Sequence, residues 1–503
     1  MKLALWSYEA PAHVGVTRAA SSFAGVHTVL RAPKGDGYAT IMFAMFERLG
    51  VTPPLTISAL SEATLAGAPA DIGRTLADVD QRLGPEMIVV TRSATAAVLQ
   101  EPLDGEIRML APGAIRAQIV EPDTHPVRDT ETSAFAKTVC EIVDRVALDG
   151  VPRTREPSVN IIGPSLLGFH DRSNVASLQR MLADVGVTVN AVIPLGASTA
   201  QLRNAGAAWA NVTTALELAR PTFERLHERF ETPYVEDVPF GEAGTYRFLD
   251  ALGGLLEIPR ARIRAAGRGA QLAWYARTVD AHALSGKRVA VFATPSTAAG
   301  LARVLGEELD MRVELVGTYV LDHDAWLRGR CERLDTEVLV TDDYREVARA
   351  IDRLRPDIVF GTQMERHSAS RFGLPCAVVA PPAHILNFPL GYEPFIGFDG
   401  ANHLGDLVNR TQVLGLEHHL IETFGPRNQG RFAEAAPDGT DEPVATAADG
   451  APRWDDGAEK LVGRIPFFVR KKARTNIERY ARDRAIAVID EATVLAAREH
   501  VGG

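Results

Sequence analysis

The sequence predicts an α/β protein of three Rossmann-like domains with parallel sheets, followed by a small helical C-terminal domain. Two observations predict it. Short β-branched runs alternate with longer amphipathic stretches, and several runs end in a Gly, Ser, Thr or Pro that opens a helix-like segment: Gly163-Pro164-Ser165, Thr294-Pro295-Ser296 and Gly361-Thr362. Continuous apolar strands that alternate with helices indicate parallel sheets covered on both faces. At 503 residues the chain is also too long for one core.

In chain order, the strands are expected at Lys2–Ser7, Met87–Thr91, Val159–Ile162, Val187–Val192, Arg288–Ala293, Val313–Thr318, Glu337–Thr341 and Asp357–Gly361. They place the three α/β domains at 1–155, 156–285 and 286–424. The stretch 425–453 is rich in Gly, Pro, Ala and acidic residues and has almost no large apolar ones, so it is expected to be a flexible linker. The tail, 454–503, carries helical patterns at Asp456–Gly463 and Lys471–Asp483, with a third helix starting near Asp490-Glu491.

Composition excludes several classes. Hydrophobic residues make up 46% of the chain, and no run of about 18 apolar residues offers a membrane span. The N-terminus has no basic-then-apolar signal region, so a cytoplasmic protein is expected. A formal charge of −10 disfavours non-specific nucleic-acid binding, which needs a basic surface. The three cysteines, Cys140, Cys331 and Cys376, are far apart. They form no zinc or ferredoxin spacing, so any iron–sulfur centre takes most of its ligands from a partner. There is no P-loop: Ser285-Gly286-Lys287 precedes a strand instead of following one. Gly267-Arg268-Gly269 lacks the third glycine of a dinucleotide fingerprint. ATP, if used, is hydrolysed elsewhere.

Three residues are candidates for chemistry. Asp36 lies in a Gly-flanked turn, Pro33-Lys34-Gly35-Asp36-Gly37-Tyr38. Aspartate tolerates such turns, and the same carboxylate could ligate a metal. Asp280 lies on a predicted helix, six residues before Gly286, at the approach to the third domain. There it is either a surface carboxylate paired with Arg277 or Lys287, or a general acid at an interdomain cleft whose proton burial retains. His384 stands in an irregular loop, Pro381-Pro382-Ala383-His384, before Phe388-Pro389. It is either a loop histidine bonded to backbone or a pocket histidine that tunes proton delivery.

These segments resemble the B-type subunit of the light-independent (dark-operative) protochlorophyllide reductases, a nitrogenase-like family. The resemblance rests on the opening segment with the Asp36 turn and on Trp274-Tyr275-Ala276-Arg277-Thr278-Val279-Asp280 running into Leu284-Ser285-Gly286-Lys287-Arg288-Val289. It rests also on Pro375-Cys376-Ala377-Val378 with His384, on Gly397-Phe398-Asp399-Gly400-Ala401-Asn402, and on Ile465-Pro466-Phe467-Phe468-Val469-Arg470 in the tail. It implies a heterotetramer of two N and two B subunits. A transient iron protein, subunit L, would hydrolyse ATP and deliver electrons one at a time. A [4Fe–4S] cluster shared with subunit N would carry them to protochlorophyllide, whose C17=C18 bond is reduced to give chlorophyllide in (bacterio)chlorophyll biosynthesis. By the resemblance Asp36 is the one cluster ligand from this chain, beside three cysteines of subunit N. Asp280 is the proton donor to the double bond, and His384 is a second residue of the substrate site.

The chain also departs from the family. Ala94 in Ser93-Ala94-Thr95 stands where the family has cysteine. The loop from Glu121 to Thr130 replaces a lysine-containing one, and the segment Gly241–Gly244 is altered. These departures leave two other readings open: a paralogue acting on another tetrapyrrole or small substrate, and a non-catalytic scaffold of the same fold.

Overall fold

The computed structural model describes residues 7–37, 54–62, 72–99, 105, 107, 113–166, 168–278, 280–383, 392–424, 452–463, 474, 477–484 and 486–501, with Asp280 described through its backbone alone. All but Ser7 of the expected strand at Lys2–Ser7, most of the expected linker at 425–453 and His384 lie outside them. The chain divides into two compact units, Met1–Thr423 and Phe424–Gly503.

Among its described residues the first unit carries three wholly parallel sheets. The first has the order β2-β1-β3-β4, from Val26–Ala32 (β1), Leu55–Ala59 (β2), Met87–Arg92 (β3) and Gln118–Val120 (β4). The second has the order β6-β5-β7, from Ser158–Ile162 (β5), Thr188–Ile193 (β6) and Ala210–Thr213 (β7). The third has the order β10-β9-β8-β11-β12, from Arg288–Phe292 (β8), Arg312–Thr318 (β9), Glu337–Val340 (β10), Ile358–Gly361 (β11) and Cys376–Val378 (β12). Each sheet falls within one of the three intervals expected from the sequence.

The central strand of the first sheet, β1, is absent from the strands expected above. It is buried at every position, yet its residues His27, Thr28 and Arg31 break the apolar run that marks a buried strand. Polar groups of β2 absorb His27 and Arg31, while the Thr28 hydroxyl is buried with no partner among the described residues. Arg31 Nη1 donates to the Ser58 hydroxyl at 3.2 Å and to the Ala59 carbonyl at 3.0 Å, and His27 Nε2 meets Thr56 Oγ1 at 2.9 Å. A buried polar side chain is tolerated where such partners exist.

The helix Ala12–Ser22 precedes β1 and packs on Glu131–Val146 through small residues: Ala12, Val16, Ala19 and Ala20 meet Ala134, Phe135 and Val139 in one core. Gly15 permits this approach, because a Cβ there would run into the carbonyl oxygen of Glu131. Overpacking of this kind costs about 1–3 kcal/mol. Gly15→Ala is therefore expected to lower the unfolding free energy by about 2 kcal/mol; an unchanged urea midpoint would contradict the packing described.

The helix Ile72–Leu83 ends beside the start of β4, and Asp80 joins the two. Its carboxylate, 3% exposed as a residue, accepts the N–H groups of Ala117 at 2.9 Å and Arg116 at 3.2 Å. These bonds, with Arg116 beside them, hold the Asp80 carboxyl below its ordinary value. A depressed folded-state pKa adds stability above the unfolded value of about 4, which is lost as pH falls through the folded value. Asp80→Ala should therefore narrow the gap in urea midpoint between pH 7 and pH 3. An identical acid dependence in the variant would remove Asp80 from that role.

A single core links the second and third sheets, joining Val159, Ile161 and Val212 to Val289, Val291 and Phe360 through Phe240, Phe248 and Leu252. The helix Gly397–Phe424 adds Phe398, Leu404 and Leu407 to it. The second unit contains the expected helix Asp456–Gly463, a helical stretch at 477–483 and the helix Glu491–Val501. It also contains a two-stranded parallel pairing of Arg453–Trp454 (β13) with Val488–Ile489 (β14), too short to leave a pattern in the sequence. Its core joins Ala458, Val462, Ile477, Ala481, Ile489 and Val494. Among the described residues no helix is long and apolar enough to cross a membrane.

Candidate functional site

In an open parallel sheet, ligands meet the C-terminal ends of the strands, where loops leave the scaffold. All three sheets present such an edge; Asp36 falls on that of the first, whereas Asp280 precedes β8, at the opposite end of the third.

Asp36 lies at this edge of the first sheet. β1 ends at Ala32, and the 3₁₀ turn Lys34–Gly37 follows directly. Pro33 starts the turn, and its carbonyl accepts the Asp36 N–H at 3.1 Å. The backbone is thereby fixed while the half-buried carboxylate stays available. His13, from the first turn of Ala12–Ser22, is its neighbour in charge. Burial pushes the His13 imidazole below its ordinary value, and the Asp36 carboxylate pulls it back up. His13 is 7% exposed, and its Nδ1 is buried with no partner among the described residues. Sequence reasoning did not single out His13; it stands in the opening Pro11-Ala12-His13 segment with no motif around it.

Ala94 lies on the same edge. β1 and β3 are adjacent, with Arg31 paired to Arg92. β3 then passes to Ser93, whose N–H donates to the Arg31 carbonyl at 3.0 Å and whose hydroxyl caps the helix Ala94–Val98 by accepting the Ala96 N–H at 3.2 Å. The Asp36 turn and Ala94 thus leave neighbouring strands at the same end. Past β4, Glu121 receives Arg92 Nη2 at 2.8 Å, so the divergent loop after Glu121 borders this edge as well.

Asp280 lies elsewhere in the unit. The expected helix there is only the short turn Leu272–Tyr275, and Asp280 begins a separate 3₁₀ turn, Asp280–Ala283. The break follows from Thr278, whose hydroxyl folds back to the Tyr275 carbonyl at 2.7 Å and competes with helix continuation. The segment leans on Gly397–Phe424: the Tyr275 hydroxyl donates to Asn409 Oδ1 at 3.2 Å, and Gln412 Nε2 donates to the Ala283 carbonyl at 3.0 Å. Gly286, at φ +70°, then turns the chain into β8. Asp36 and Asp280 therefore stand on separate elements of this chain, one beside the first sheet and one before the third.

The loop that leads to His384 is described up to Ala383. Tyr319 Oη donates to the Pro381 carbonyl at 2.9 Å, and the Gln363 N–H donates to the Pro382 carbonyl at 2.8 Å. Among the described residues no group of three or more His, Cys, Asp or Glu side chains converges. Burial pushes the Cys140 and Cys331 thiols up to about 11, and Cys376 further still, so these three behave as small apolar side chains.

The scaffold is that of a component 1 type nitrogenase-like protein. The solved structure titled "Nitrogenase Cp1 at pH 6.5" superposes with a TM-score of 0.72, covering 84% of this chain and 96% of that one at 17% identity. Residues 11–412 match the family described as nitrogenase component 1 type oxidoreductase. Residues 454–498 match a second family, the proto-chlorophyllide reductase 57 kD subunit. Curated relatives match end to end. The B-type subunit of light-independent protochlorophyllide reductase from Chloroflexus aurantiacus is 39% identical, with 100% of both chains covered. That of Heliobacterium modesticaldum is 39% identical, with 100% of this chain and 99% of the other covered. That of Gloeothece citriformis is 36% identical, again over 100% of both. The chain belongs to the B-type subunit family of the light-independent protochlorophyllide reductases, and is an oxidoreductase component.

Proposed function

We propose that the chain, paired with a subunit N, reduces the C17=C18 bond of protochlorophyllide with electrons from an ATP-hydrolysing iron protein. The observation that carries this reading is the agreement of both family matches along one chain, 11–412 and 454–498, with relatives of that name covered end to end.

The residues present fit a shared [4Fe–4S] cluster. The Asp36 turn offers one oxygen ligand from a fixed backbone, beside a buried imidazole nitrogen without a partner among the described residues. One such ligand needs three more from another chain, which is the role of subunit N's cysteines. When bound, the cluster supplies one-electron transfer. An oxygen ligand and the half-buried surroundings set its potential. Asp36 holds the ligand position, and its turn, closed by the Pro33 carbonyl, keeps the carboxylate from swinging away.

Reduction of the double bond adds two electrons and two protons. Asp280 delivers one proton to a ring carbon from its carboxyl and is reprotonated from solvent; the second proton comes from solvent, with His384 assisting at the same substrate. Asp280 acts on the pigment held by the other half of the heterotetramer, as the family resemblance suggests; in this chain it stands on an element separate from the Asp36 turn.

Ala94 favours one second reading, a paralogue with a different reducible substrate. It sits on the Asp36 edge where the family carries cysteine, so the surroundings of the cluster differ there. Anaerobic co-purification with a cognate subunit N and iron quantification test the primary reading. Four irons per NB pair support it; an iron-free complex would overturn it. An iron-loaded complex that turns over another tetrapyrrole, and leaves protochlorophyllide untouched, would establish the paralogue.

A further inference from the structure

Two of the places where the chain departs from its family border one cleft on the Asp36 edge. The helix Ala94–Val98 contributes Ala97 and Val98, and the loop from Glu121 to Thr130 contributes Pro126 and Val127, to a cleft of about 580 Å³. Arg92 and Glu121, ion-paired at 2.8 Å, line it as well. Val98 is 77% exposed and Val127 67%. A lone exposed valine is ordinary. Two on one cleft, with Ala97 and Pro126 beside them, form an apolar patch of the kind that partners cover.

The loop holds Val127 in place by its own bonds. His125 Nδ1 accepts the N–H groups of Val127 at 3.2 Å and of Arg128 at 3.1 Å. Asp129 Oδ2 accepts the His125 N–H at 2.7 Å, and the His125 carbonyl accepts the Asp129 N–H at 3.0 Å. Lys137, on the helix Glu131–Val146, fixes Asp129 in turn through an ion pair of 2.7 Å. The valine is thus presented on a closed turn, and ordering it against a partner costs little entropy. Which partner meets it follows from Asp36. A chain that adds three ligands to a cluster held here by one carboxylate must lie against this edge. The cleft continues that edge, because Ser93, which opens the helix of Val98, bonds to Arg31 on the strand leading to Asp36.

We propose that this cleft receives an apolar side chain of subunit N, and that Val98 and Val127 make the chain selective for its own N. This rests on the cluster-sharing reading above. By the resemblance the family carries a lysine-containing loop here, so the N subunits of such relatives meet a basic rim where this chain offers valine. Selectivity is the difference between those two fits.

The test is the dissociation constant of the anaerobic NB pair for Val98→Asp and Val127→Asp, with Leu148→Asp as control. Both valines are exposed, so the variants keep the fold. Leu148 is also exposed and lies past the other end of Glu131–Val146. A carboxylate set against an apolar partner surface should weaken pairing about tenfold in each valine variant. Leu148→Asp should pair as wild type. A subunit N from a relative with the lysine-containing loop should bind the wild-type chain about tenfold more weakly than the cognate N does. Wild-type affinity for the cognate N in both valine variants would overturn the docking site and leave the proposed function standing. Equal affinity for the two N subunits would overturn the selectivity. Intact pairing with weakened binding of subunit L would assign the cleft to the iron protein and overturn the proposal. A wild-type chain that pairs with no N would overturn the cluster-sharing reading, and this proposal with it.

Discussion

Asp36→Ala is expected to leave the chain folded and to abolish electron flow through the assembled complex. The carboxylate is half-buried, and the turn that carries it is closed by a backbone bond from the Asp36 N–H to the Pro33 carbonyl, which alanine keeps. Surface substitutions of this kind stay within about 0.5 kcal/mol, so the thermal midpoint of the isolated chain should not move. The ligand, however, is lost. Iron per NB pair should fall, or the cluster's EPR signal should change, and turnover should drop by about a hundredfold or more, the scale seen when a metal site loses its supporting groups. A variant with wild-type iron, spectrum and rate would make Asp36 an ordinary turn residue, the role its sequence context also allows.

Asp280→Asn should separate chemistry from assembly. The amide keeps the shape of the side chain and cannot release a proton as a carboxylic acid does. The 3₁₀ turn is held by backbone and by the contacts of Tyr275 and Gln412 with the neighbouring segments, so the fold and the cluster should persist. The visible band of bound protochlorophyllide should remain while kcat falls by about 10²–10⁴, the usual contribution of a general acid. Wild-type kcat would leave Asp280 a structural carboxylate at the approach to β8.

The contrast between these two sites shows what the sequence could reveal. Asp36 is legible as a turn because Pro33, Gly35 and Gly37 leave little else possible, and the observed 3₁₀ turn Lys34–Gly37 agrees. The segment around Asp280 reads as continuous helix, yet Thr278 ends the first turn by bonding the Tyr275 carbonyl, a local competition that periodicity does not register. Most strands are legible from β-branched runs; β5, β8, β9 and β11 lie within a residue of expectation. β1 is obscured because polar residues interrupt its apolar run; the buried His27 and Arg31 are satisfied by β2, and that pairing is visible only once the sheet is formed. The Thr362–Glu365 capping box is a local pattern, but its third donor, Tyr8, stands 357 residues away. Local physics marks Glu365 as a cap, and only the fold joins it to the N-terminal segment.

The central claim is that this chain serves the dark reduction of protochlorophyllide, and one measurement bears on it most directly. The anaerobic complex with subunit N is mixed with subunit L, ATP, dithionite and protochlorophyllide in darkness, and the visible spectrum is followed. The account predicts a red-shifted chlorophyllide band that appears only with ATP and subunit L present. An iron-loaded complex that leaves the protochlorophyllide band unchanged under those conditions would contradict it.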